Sequence, residues 1–428
     1  MYKLFNVDNS TYIFCVDDLE IIKVNQSEDI EEVLQNIKKE KNISKKIIDT
    51  NNADIGFAKP NHINTIGIEL ANGCNLDCTY CFLSASSKKK KVLTKNKFLE
   101  ILKFLKDQKK HPITFYFAGA GEPTFNFRLI KQLPLLCKEN GFENCFFDLT
   151  TNGTILTQEM IDFFKKNKFT INISLDGNEK INNLSRIYPN GKGSFNDVYK
   201  NMMLLKENDI EFSCKTVILP NNKNLFEVFS FFEENNIKFV FTIVTNTFDN
   251  HFETNIDDLV NFEKQMNLIT ERYKKLITNN HKIYAEKIIN DIKRIHYGEA
   301  TEIACVGSRE GFYIDIEGDI FPCSYHTSSK ELSIGNIYKG IDYNKIIENG
   351  WYAKHVDNYP DCRDCWLKHL CSGSCFAIKW LENKNTDKPS EYLCKTYRIY
   401  WSSIIKLYIQ IYSEIISGDN INFIDWKV

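Results

Sequence analysis

The sequence predicts an α/β fold centred on a partial barrel of about six parallel strands, with a small unit before it and a cysteine-rich region after it. Three observations carry this prediction. Apolar strand-like runs alternate with amphipathic segments between residues 65 and 282, as expected for a parallel sheet with helical crossovers. Polar motifs follow several of these runs, where such barrels carry their active sites. Beyond residue 300, cysteines, glycines and turn residues dominate.

The composition excludes several classes of protein. With 43% hydrophobic and 26% charged residues among 428, we expect a globular chain of about three domains rather than a disordered one. The net charge of −2 provides no overall field for nucleic acid or anionic membranes. We find no apolar run of about 18 residues and no signal peptide, so we expect a cytoplasmic protein that binds neither nucleic acid nor membrane.

Residues 1–58 are expected to form the first domain, in which three short strands precede a helix. The expected strands are Tyr2–Val7, Thr11–Val16 and Glu20–Val24. Asp29 is the candidate cap of the helix that follows them. The polar stretch from Ser44 to Pro60 is expected to form a second helix and a linker.

Residues 59–295 are expected to form the barrel, and residues 296–428 a cysteine-rich domain that ends in one long amphipathic helix from Tyr397 to Ile416. Thr94 is expected to cap one of the crossover helices. The expected barrel strands are Ile66–Leu70, Ile113–Phe117, Cys145–Leu149, Thr170–Leu175, Phe212–Leu219 and Phe239–Val244.

Fourteen cysteines in a reducing compartment favour metal binding or catalysis over disulfides. Four stand alone in apolar surroundings and are best explained as small buried side chains: Cys15, Cys137, Cys145 and Cys214. The other ten form a tight triplet and a run of seven. The triplet is Cys74, Cys78 and Cys81, and the run is Cys305, Cys323, Cys362, Cys365, Cys371, Cys375 and Cys394.

The triplet has the spacing C-x3-C-x2-C and follows the first barrel strand. Three thiolates on one loop suit an iron-sulfur cluster with one open iron. A structural zinc site is the alternative, but it needs a fourth ligand, and neither Cys nor His occurs in the next twenty residues.

With Tyr80 before its third cysteine, the triplet resembles the signature of the radical S-adenosylmethionine superfamily. The resemblance extends to Gly119–Pro123, Thr151–Thr154 and Ser174–Gly177, which follow the next three strands. It implies a [4Fe-4S] cluster on the triplet that binds S-adenosylmethionine. The implied contacts of this cofactor are Tyr80, Gly119, Gly121, Glu122, Asn152, Ser174 and Arg186.

The chemistry of these side chains agrees with that implication. Glu122 offers a carboxylate to the ammonium of the methionine, and Arg186 and Ser174 offer donors to its carboxylate. The alternative is that Glu122 and Arg186 form an ion pair at the barrel rim.

The run of seven cysteines resembles the SPASM extension of the same superfamily, which binds two auxiliary [4Fe-4S] clusters. A pair of zinc ribbons is the alternative. The resemblance assigns Cys305, Cys323 and Cys375 to an inner cluster, and it assigns an outer set to the second cluster. The outer set is Cys362, Cys365, Cys371 and Cys394. The inner cluster is then one ligand short, so that its iron is open to substrate unless Cys214, His326 or water reaches it.

The resemblance to SPASM enzymes implies one of several peptide modifications. Sulfatase activators carry an Asp directly after the second SPASM cysteine, where this chain has Ser324. Residues 1–58 resemble the winged-helix-like element with which peptide maturases bind a leader peptide as an added strand. We therefore expect an enzyme that matures ribosomally made peptides, of the sactipeptide or ranthipeptide type, and that forms a Cys thioether with electrons from a flavodoxin or ferredoxin. Carbon-carbon crosslinking, formylglycine formation and a zinc-stabilised binding protein are the alternatives.

Overall fold

The structure is a computed structural model that describes residues 1–25, 28–44, 63–106, 109–119, 121–219, 224–244 and 256–416. The second helix and linker expected between Ser44 and Pro60 fall outside the described residues after Ser44, as does Ala120 of the Gly119–Pro123 motif. Among the described residues, no helix combines the length and the apolar character needed to cross a bilayer.

The amino-terminal unit is a three-stranded antiparallel sheet of order β1-β2-β3 with one helix packed on it. Its elements are β1 (Tyr2–Val7), β2 (Ser10–Cys15), β3 (Ile21–Val24) and α1 (Ile30–Ser44). Asp29 accepts a hydrogen bond from the Glu31 amide at 3.0 Å, as expected of a helix cap. One face of the sheet, including Ile13, packs against α1 through Leu34.

The other face of this small sheet packs on the cysteine-rich domain. The ring of Trp366 lies edge-on to both Phe5 and Phe14, with centroid distances of 5.9 and 6.3 Å. Phe5, Phe14 and Leu19 are buried members of the main hydrophobic core. The amino-terminal unit is therefore joined to the rest of the protein by apolar packing, beside Cys365.

The barrel is built from six parallel strands that follow one another in chain order, as the sequence predicts. The strands are β4 (Ile63–Ile68), β5 (Lys109–Phe117), β6 (Cys145–Thr151), β7 (Thr170–Ser174), β8 (Phe212–Ile218) and β9 (Phe239–Ile243). The helices of this region are α2 (Lys95–Leu105), α3 (Phe127–Ile130), α4 (Leu133–Glu139), α5 (Gln158–Lys166), α6 (Glu179–Asn182), α7 (Phe195–Glu207), α8 (Leu225–Glu234), α9 (Ile256–Thr278) and α10 (Glu286–His296). Thr94 caps α2 by accepting from the Lys97 amide at 3.1 Å.

The carboxyl-terminal region continues the barrel sheet. Strand β10 pairs in parallel with β4, and three short antiparallel strands follow it, which gives a ten-stranded sheet. These strands are β10 (Gly311–Ile314), β11 (Asp319–Phe321), β12 (Gly335–Asn336) and β13 (Gly340–Ile341). The remaining helices are α11 (Tyr343–Asn349), α12 (Pro360–Arg363), α13 (Lys368–Cys371), α14 (Phe376–Asn383) and α15 (Glu391–Ile416). The sheet therefore runs across the boundary expected at residue 296.

Two expectations about these elements need correction. The long terminal helix begins at Glu391 rather than Tyr397, because Ser390 accepts from the Leu393 amide and starts the helix one turn before Cys394. Of the four isolated cysteines, Cys145 is only half-buried, since it opens an otherwise alternating strand, while the other three are buried as expected.

Candidate active site

One open cleft of about 250 Å³ lies at the carboxyl ends of the barrel strands. It brings together all three triplet cysteines and every side chain that the sequence nominates for S-adenosylmethionine. These residues are Cys74, Cys78, Cys81, Tyr80, Gly119, Gly121, Glu122, Asn152, Ser174 and Arg186. Val217 of β8 and Val244 after β9 also line the cleft. The cleft thus occupies the position where parallel barrels carry active sites.

The triplet cysteines lie on the loop that follows β4. These three sulfurs lie close enough to interact electrostatically. The Leu76 amide donates to the Cys74 sulfur at 3.4 Å. Burial raises the pKa of the Cys78 thiol to about 12, and a metal bound to this sulfur would favour the thiolate. The donor set fits an iron-sulfur cluster with an open position.

The Gly119–Pro123 motif is held directly on the triplet loop by its backbone. The Gly121 amide donates to the Ala71 carbonyl at 3.0 Å, and the Glu122 amide donates to the Gly73 carbonyl at 2.9 Å. A Cβ on Gly121 would overlap the backbone of Gly73. The glycine at this position is therefore needed for the close approach of the two loops.

Glu122 is buried in the floor of the cleft. Its Oε1 accepts three hydrogen bonds, from the amide and hydroxyl of Thr124 and from the hydroxyl of Thr151, at 2.6 to 3.0 Å. Its Oε2 accepts one hydrogen bond among the described residues, from the Asn152 amide at 2.8 Å. Burial raises the pKa of Glu122, and these hydrogen bonds oppose that shift. Since each carboxylate oxygen has two lone pairs, Oε2 can accept a further donor such as an ammonium.

Asn152 connects the motif after β6 to the triplet loop. Its Nδ2 donates to Asn75 Oδ1 at 2.8 Å and approaches the Cys74 sulfur at 3.5 Å. Its Oδ1 accepts from both the amide and the hydroxyl of Thr154. The side chain is thus fixed, with its amide group beside the first cysteine.

Arg186 pairs with Asp176 and not with Glu122, so the rim ion pair considered for Glu122 is not the one observed. The Arg186 Nε lies 3.0 Å from Asp176 Oδ2, and both side chains are buried. Burial alone would lower the pKa of Arg186, but the adjacent Asp176 raises it above the usual range. Asp176 also accepts from the Tyr80 hydroxyl at 2.6 Å. This network ties the triplet loop to the segment after β7.

The three inner cysteines lie close together beside this cleft. The sulfur of Cys323 interacts electrostatically with those of Cys305 and Cys375. Tyr325, two residues after Cys323, lines the cleft and packs on Phe82 with a centroid distance of 4.7 Å. An aromatic pair therefore stands between the triplet and the inner set.

Ser324, which follows Cys323, touches the motif after β5. A Cβ on Gly119 would overlap the Cβ of Ser324, so the Ser324 side chain packs directly on the backbone of Gly119. The position at which sulfatase activators carry an Asp is thus occupied by a hydroxyl next to the cleft.

Of the two side chains considered as a fourth inner ligand, only His326 reaches the inner set. His326 is fully buried, and its Nδ1 lies 3.3 Å from the Cys323 sulfur. Its Nε2 has no hydrogen-bond partner among the described residues. Cys214 instead lies within β8, with Arg186 and Asp176 among its charged neighbours.

The outer cysteines surround a separate cavity of about 280 Å³. All four residues that the sequence assigns to the outer set line it, namely Cys362, Cys365, Cys371 and Cys394. Cys394 enters this cavity from the first turn of α15, which explains why a cysteine so distant in sequence joins the other three.

Sequence reasoning missed two positioning residues of the main cleft. Asp176 belongs to the motif Ser174–Gly177, for which the sequence predicts a contact only from Ser174. Its position at the end of the same strand indicates that its carboxylate could also face the cleft. Asn75 carried no signal, because a single polar residue between two cysteines is equally typical of an exposed loop.

Known family models match both regions of the chain. A model of the Radical SAM superfamily matches residues 68–231, and a model of SPASM, described as an iron-sulfur cluster-binding domain, matches residues 305–366. The first range contains the whole triplet loop and the second contains four of the seven later cysteines.

Individual relatives agree with these matches. The chain is 24% identical over 373 residues to a cysteine-type anaerobic sulfatase-maturating enzyme of Clostridium perfringens, covering 81% of this chain and 97% of that protein. Native anSMEcpe with bound AdoMet has the same fold, with a TM-score of 0.70 and 21% identity over 82% of this chain and 99% of that chain. Streptococcus suis SuiB bound to precursor peptide SuiA has a TM-score of 0.54 and 18% identity over 92% of this chain and 100% of that chain.

Proposed function

The chain belongs to the radical S-adenosylmethionine enzymes with a SPASM domain. We therefore propose that it is a peptide maturase and that it forms a Cys thioether crosslink in a ribosomally made precursor peptide. As an enzyme of this superfamily, it uses S-adenosylmethionine and [4Fe-4S] clusters. When bound, these cofactors supply the radical chemistry that removes a hydrogen atom from the peptide. The thioether and the identity of the peptide are the proposed parts.

The proposed roles of the cleft residues follow from their contacts. Glu122 Oε2 receives the ammonium of S-adenosylmethionine, and Arg186, already held by Asp176, presents its remaining N–H groups to the carboxylate. Asn152 and Tyr80 fix the loop that carries the triplet. Each of these groups positions the cofactor without entering the bond that is formed.

The ten motif cysteines are proposed to hold three [4Fe-4S] clusters in the sets described above. Within the inner set, a metal-bound Cys323 thiolate would only accept, so His326 Nδ1 would carry a hydrogen and donate a hydrogen bond to the sulfur. In that role His326 would be a hydrogen-bond donor and not a ligand, and a cluster held by Cys305, Cys323 and Cys375 would have room for a peptide thiolate. A one-electron donor of the flavodoxin or ferredoxin type supplies the reducing electrons.

The observation that carries the assignment to a peptide maturase is the groove beside the amino-terminal sheet. In the described part of the chain, β3 pairs only with β2, so its other edge is available for an added strand. A groove of about 600 Å³ lies along it, between Ile21 of β3, His296 at the end of α10, and Tyr412 of α15. An extended leader peptide could pair with β3 and bury apolar side chains there.

The function is tested with reconstituted protein, S-adenosylmethionine, dithionite and the short Cys-containing peptides encoded beside the gene. A thioether product loses two hydrogen atoms per bond, and one of its cysteines resists alkylation. A product that loses hydrogen while all its cysteines still react with the alkylating reagent would show a carbon-carbon bond instead. Protein that contains zinc and no iron would exclude the entire proposal.

The groove is tested separately with Tyr412→Ala. Tyr412 is 45% exposed and lines the groove, and Tyr2 on the opposite edge of the sheet is 41% exposed, so Tyr2→Ala is a matched control. We expect Tyr412→Ala to raise the KM for a leader-bearing peptide several-fold, with unchanged cleavage of S-adenosylmethionine. Equal effects of the two variants would contradict leader binding in the groove.

Formylglycine formation is the second candidate, because the chain resembles a sulfatase-maturating enzyme over most of its length. Ser324 argues against it, since a hydroxyl cannot take up a proton as a carboxylate can. A sulfatase peptide containing the target cysteine distinguishes the two functions, because formylglycine formation removes the sulfur altogether.

A further inference from the structure

Lys379 is a buried cation without a counter-charge of its own. Its side chain is fully buried on α14, one turn after Cys375, and its amide donates to the Cys375 carbonyl at 3.1 Å. The ammonium has no hydrogen-bond partner among the described residues. An unpaired ammonium in a protein interior is costly, so its burial needs an explanation.

Neighbouring side chains hold the Lys379 ammonium in a fixed place. Its ammonium lies 3.2 Å from the centroid of the buried Tyr359 ring, in cation-π geometry. Tyr359 fits there because Gly373, with a φ of +81°, has no side chain, and a Cβ at this position would lie 2.5 Å from the ring. The tyrosine hydroxyl accepts from the Lys354 amide at 3.0 Å, which fixes the ring.

The sulfur groups that interact with Lys379 belong to both auxiliary cysteine sets. Cys362 and Cys371 of the outer set and Cys375 of the inner set all interact electrostatically with the ammonium. Asp387 also contributes, but its Oδ1 is held by the Lys354 ammonium at 2.5 Å. Burial lowers the pKa of Lys379 to about 8, and these neighbouring anions oppose that shift.

We propose that Lys379 is the counter-cation shared by the two auxiliary clusters and that its charge raises the reduction potential of both. The inference rests on the proposed ligand sets. A cluster becomes more negative by one charge when it accepts an electron, so a fixed cation nearby stabilises its reduced form. Lys379 is thus a positioning residue that acts through the clusters and does not touch the peptide.

The test is a redox titration of the full-length reconstituted protein, followed by electron paramagnetic resonance. Addition of S-adenosylmethionine identifies the signal of the cluster on the triplet. In Lys379→Met we expect the ratio of reduced to oxidised auxiliary cluster at a fixed potential to fall about tenfold, equivalent to 59 mV for one electron. Lys379→Arg should retain the wild-type potentials, and the triplet cluster should be unaffected in both variants.

Lys384→Met is the matched control, because Lys384 ends the same helix and lies 4.3 Å from the Trp380 ring but is exposed. Unchanged auxiliary potentials in Lys379→Met, or equal shifts in the Met and Arg variants, would overturn the proposal. If the auxiliary iron is lost from Lys379→Met and kept in Lys379→Arg, the charge is needed and the proposal stands. Loss from both variants would assign the residue to packing and overturn it.

No peptide is needed for this measurement. A failure to crosslink any peptide would therefore overturn the proposed function and leave the role of Lys379 standing. Absence of auxiliary iron from the wild-type protein would overturn the ligand sets, and the inference about Lys379 with them.

Discussion

Gly119 combines a left-handed backbone with close contact to the cysteine-rich domain. Its φ is +81°, and an added Cβ would overlap Ser324. Gly191 has the same φ, and an added Cβ there would meet nothing within 4 Å. Gly191→Ala therefore measures the backbone strain alone, which is about 1–2 kcal/mol for a left-handed residue.

We expect Gly119→Ala to lower the apparent Tm more than Gly191→Ala and to reduce cleavage of S-adenosylmethionine at least tenfold, because Ser324 and the motif after β5 must separate. Thermal unfolding and deoxyadenosine release measure the two effects. Equal behaviour of the two variants would mean that the loops relax without cost.

Asp176 is the buried partner of Arg186, and its substitution should affect both stability and cofactor binding. Asp176→Asn leaves Arg186 as a buried cation without its counter-charge, and loss of one partner of a buried pair costs about 3–5 kcal/mol of unfolding free energy. We expect a lower apparent Tm and weaker binding of S-adenosylmethionine by equilibrium dialysis. Asp197→Asn is the control, because the half-buried Asp197 accepts a hydrogen bond from Tyr188 at 2.7 Å. Wild-type affinity in Asp176→Asn would show that Arg186 does not hold the cofactor.

Glu233 joins three helices on the outside of the barrel. It lies near the end of α8, and its Oε1 accepts from the Tyr273 hydroxyl of α9 and from the Tyr284 amide before α10. Burial raises its pKa above the usual 4.5, although the hydrogen bonds oppose that shift. The folded protein therefore holds this proton more tightly than the unfolded chain does. The stability that Glu233 contributes is fully present below pH 4.5 and falls as the pH rises through the folded pKa.

Because the folded protein holds the Glu233 proton more tightly, we expect the apparent Tm of the wild type to fall relative to that of Glu233→Gln as the pH is raised from about 5 to about 8. Scanning calorimetry at several pH values checks the expectation. Glu234→Gln is the neighbouring control, since the Glu234 side chain is 64% exposed and pairs with Arg272. A constant difference between wild type and Glu233→Gln would show that Glu233 keeps its ordinary titration in the folded protein.

The elements that the sequence predicted well are those with a strong local signal. The six barrel strands are short segments rich in apolar residues between helices, and the Thr94 cap is a local motif, so both could be identified without tertiary information. Strand β10 was missed because its four buried residues pair with β4, more than 240 positions away in sequence. The pair between Asp176 and Arg186 was missed for another reason, because its formation depends on how two neighbouring loops meet.

At the scale of the whole molecule, the cysteine sets predict a definite iron content. Reconstituted without oxygen, the protein should hold about twelve irons, since each of three sets suits a four-iron cluster. Replacement of the triplet, Cys74, Cys78 and Cys81, by Ala should remove about a third of the iron and all cleavage of S-adenosylmethionine. Iron analysis and the visible spectrum measure this. Wild-type iron content in the triple variant would place the first cluster elsewhere.

The pairing of β10 with β4 means that the cysteine-rich domain covers one edge of the barrel sheet. Without β10, the backbone N–H and C=O groups of β4 that face away from β5 would lie unpaired at an edge of the sheet, flanked by the fully buried Ile66 and Ile68. Exposed apolar edges recruit strands from other chains and lead to aggregation. The cysteine-rich domain therefore protects the barrel from self-association, independently of the metal that its cysteines bind.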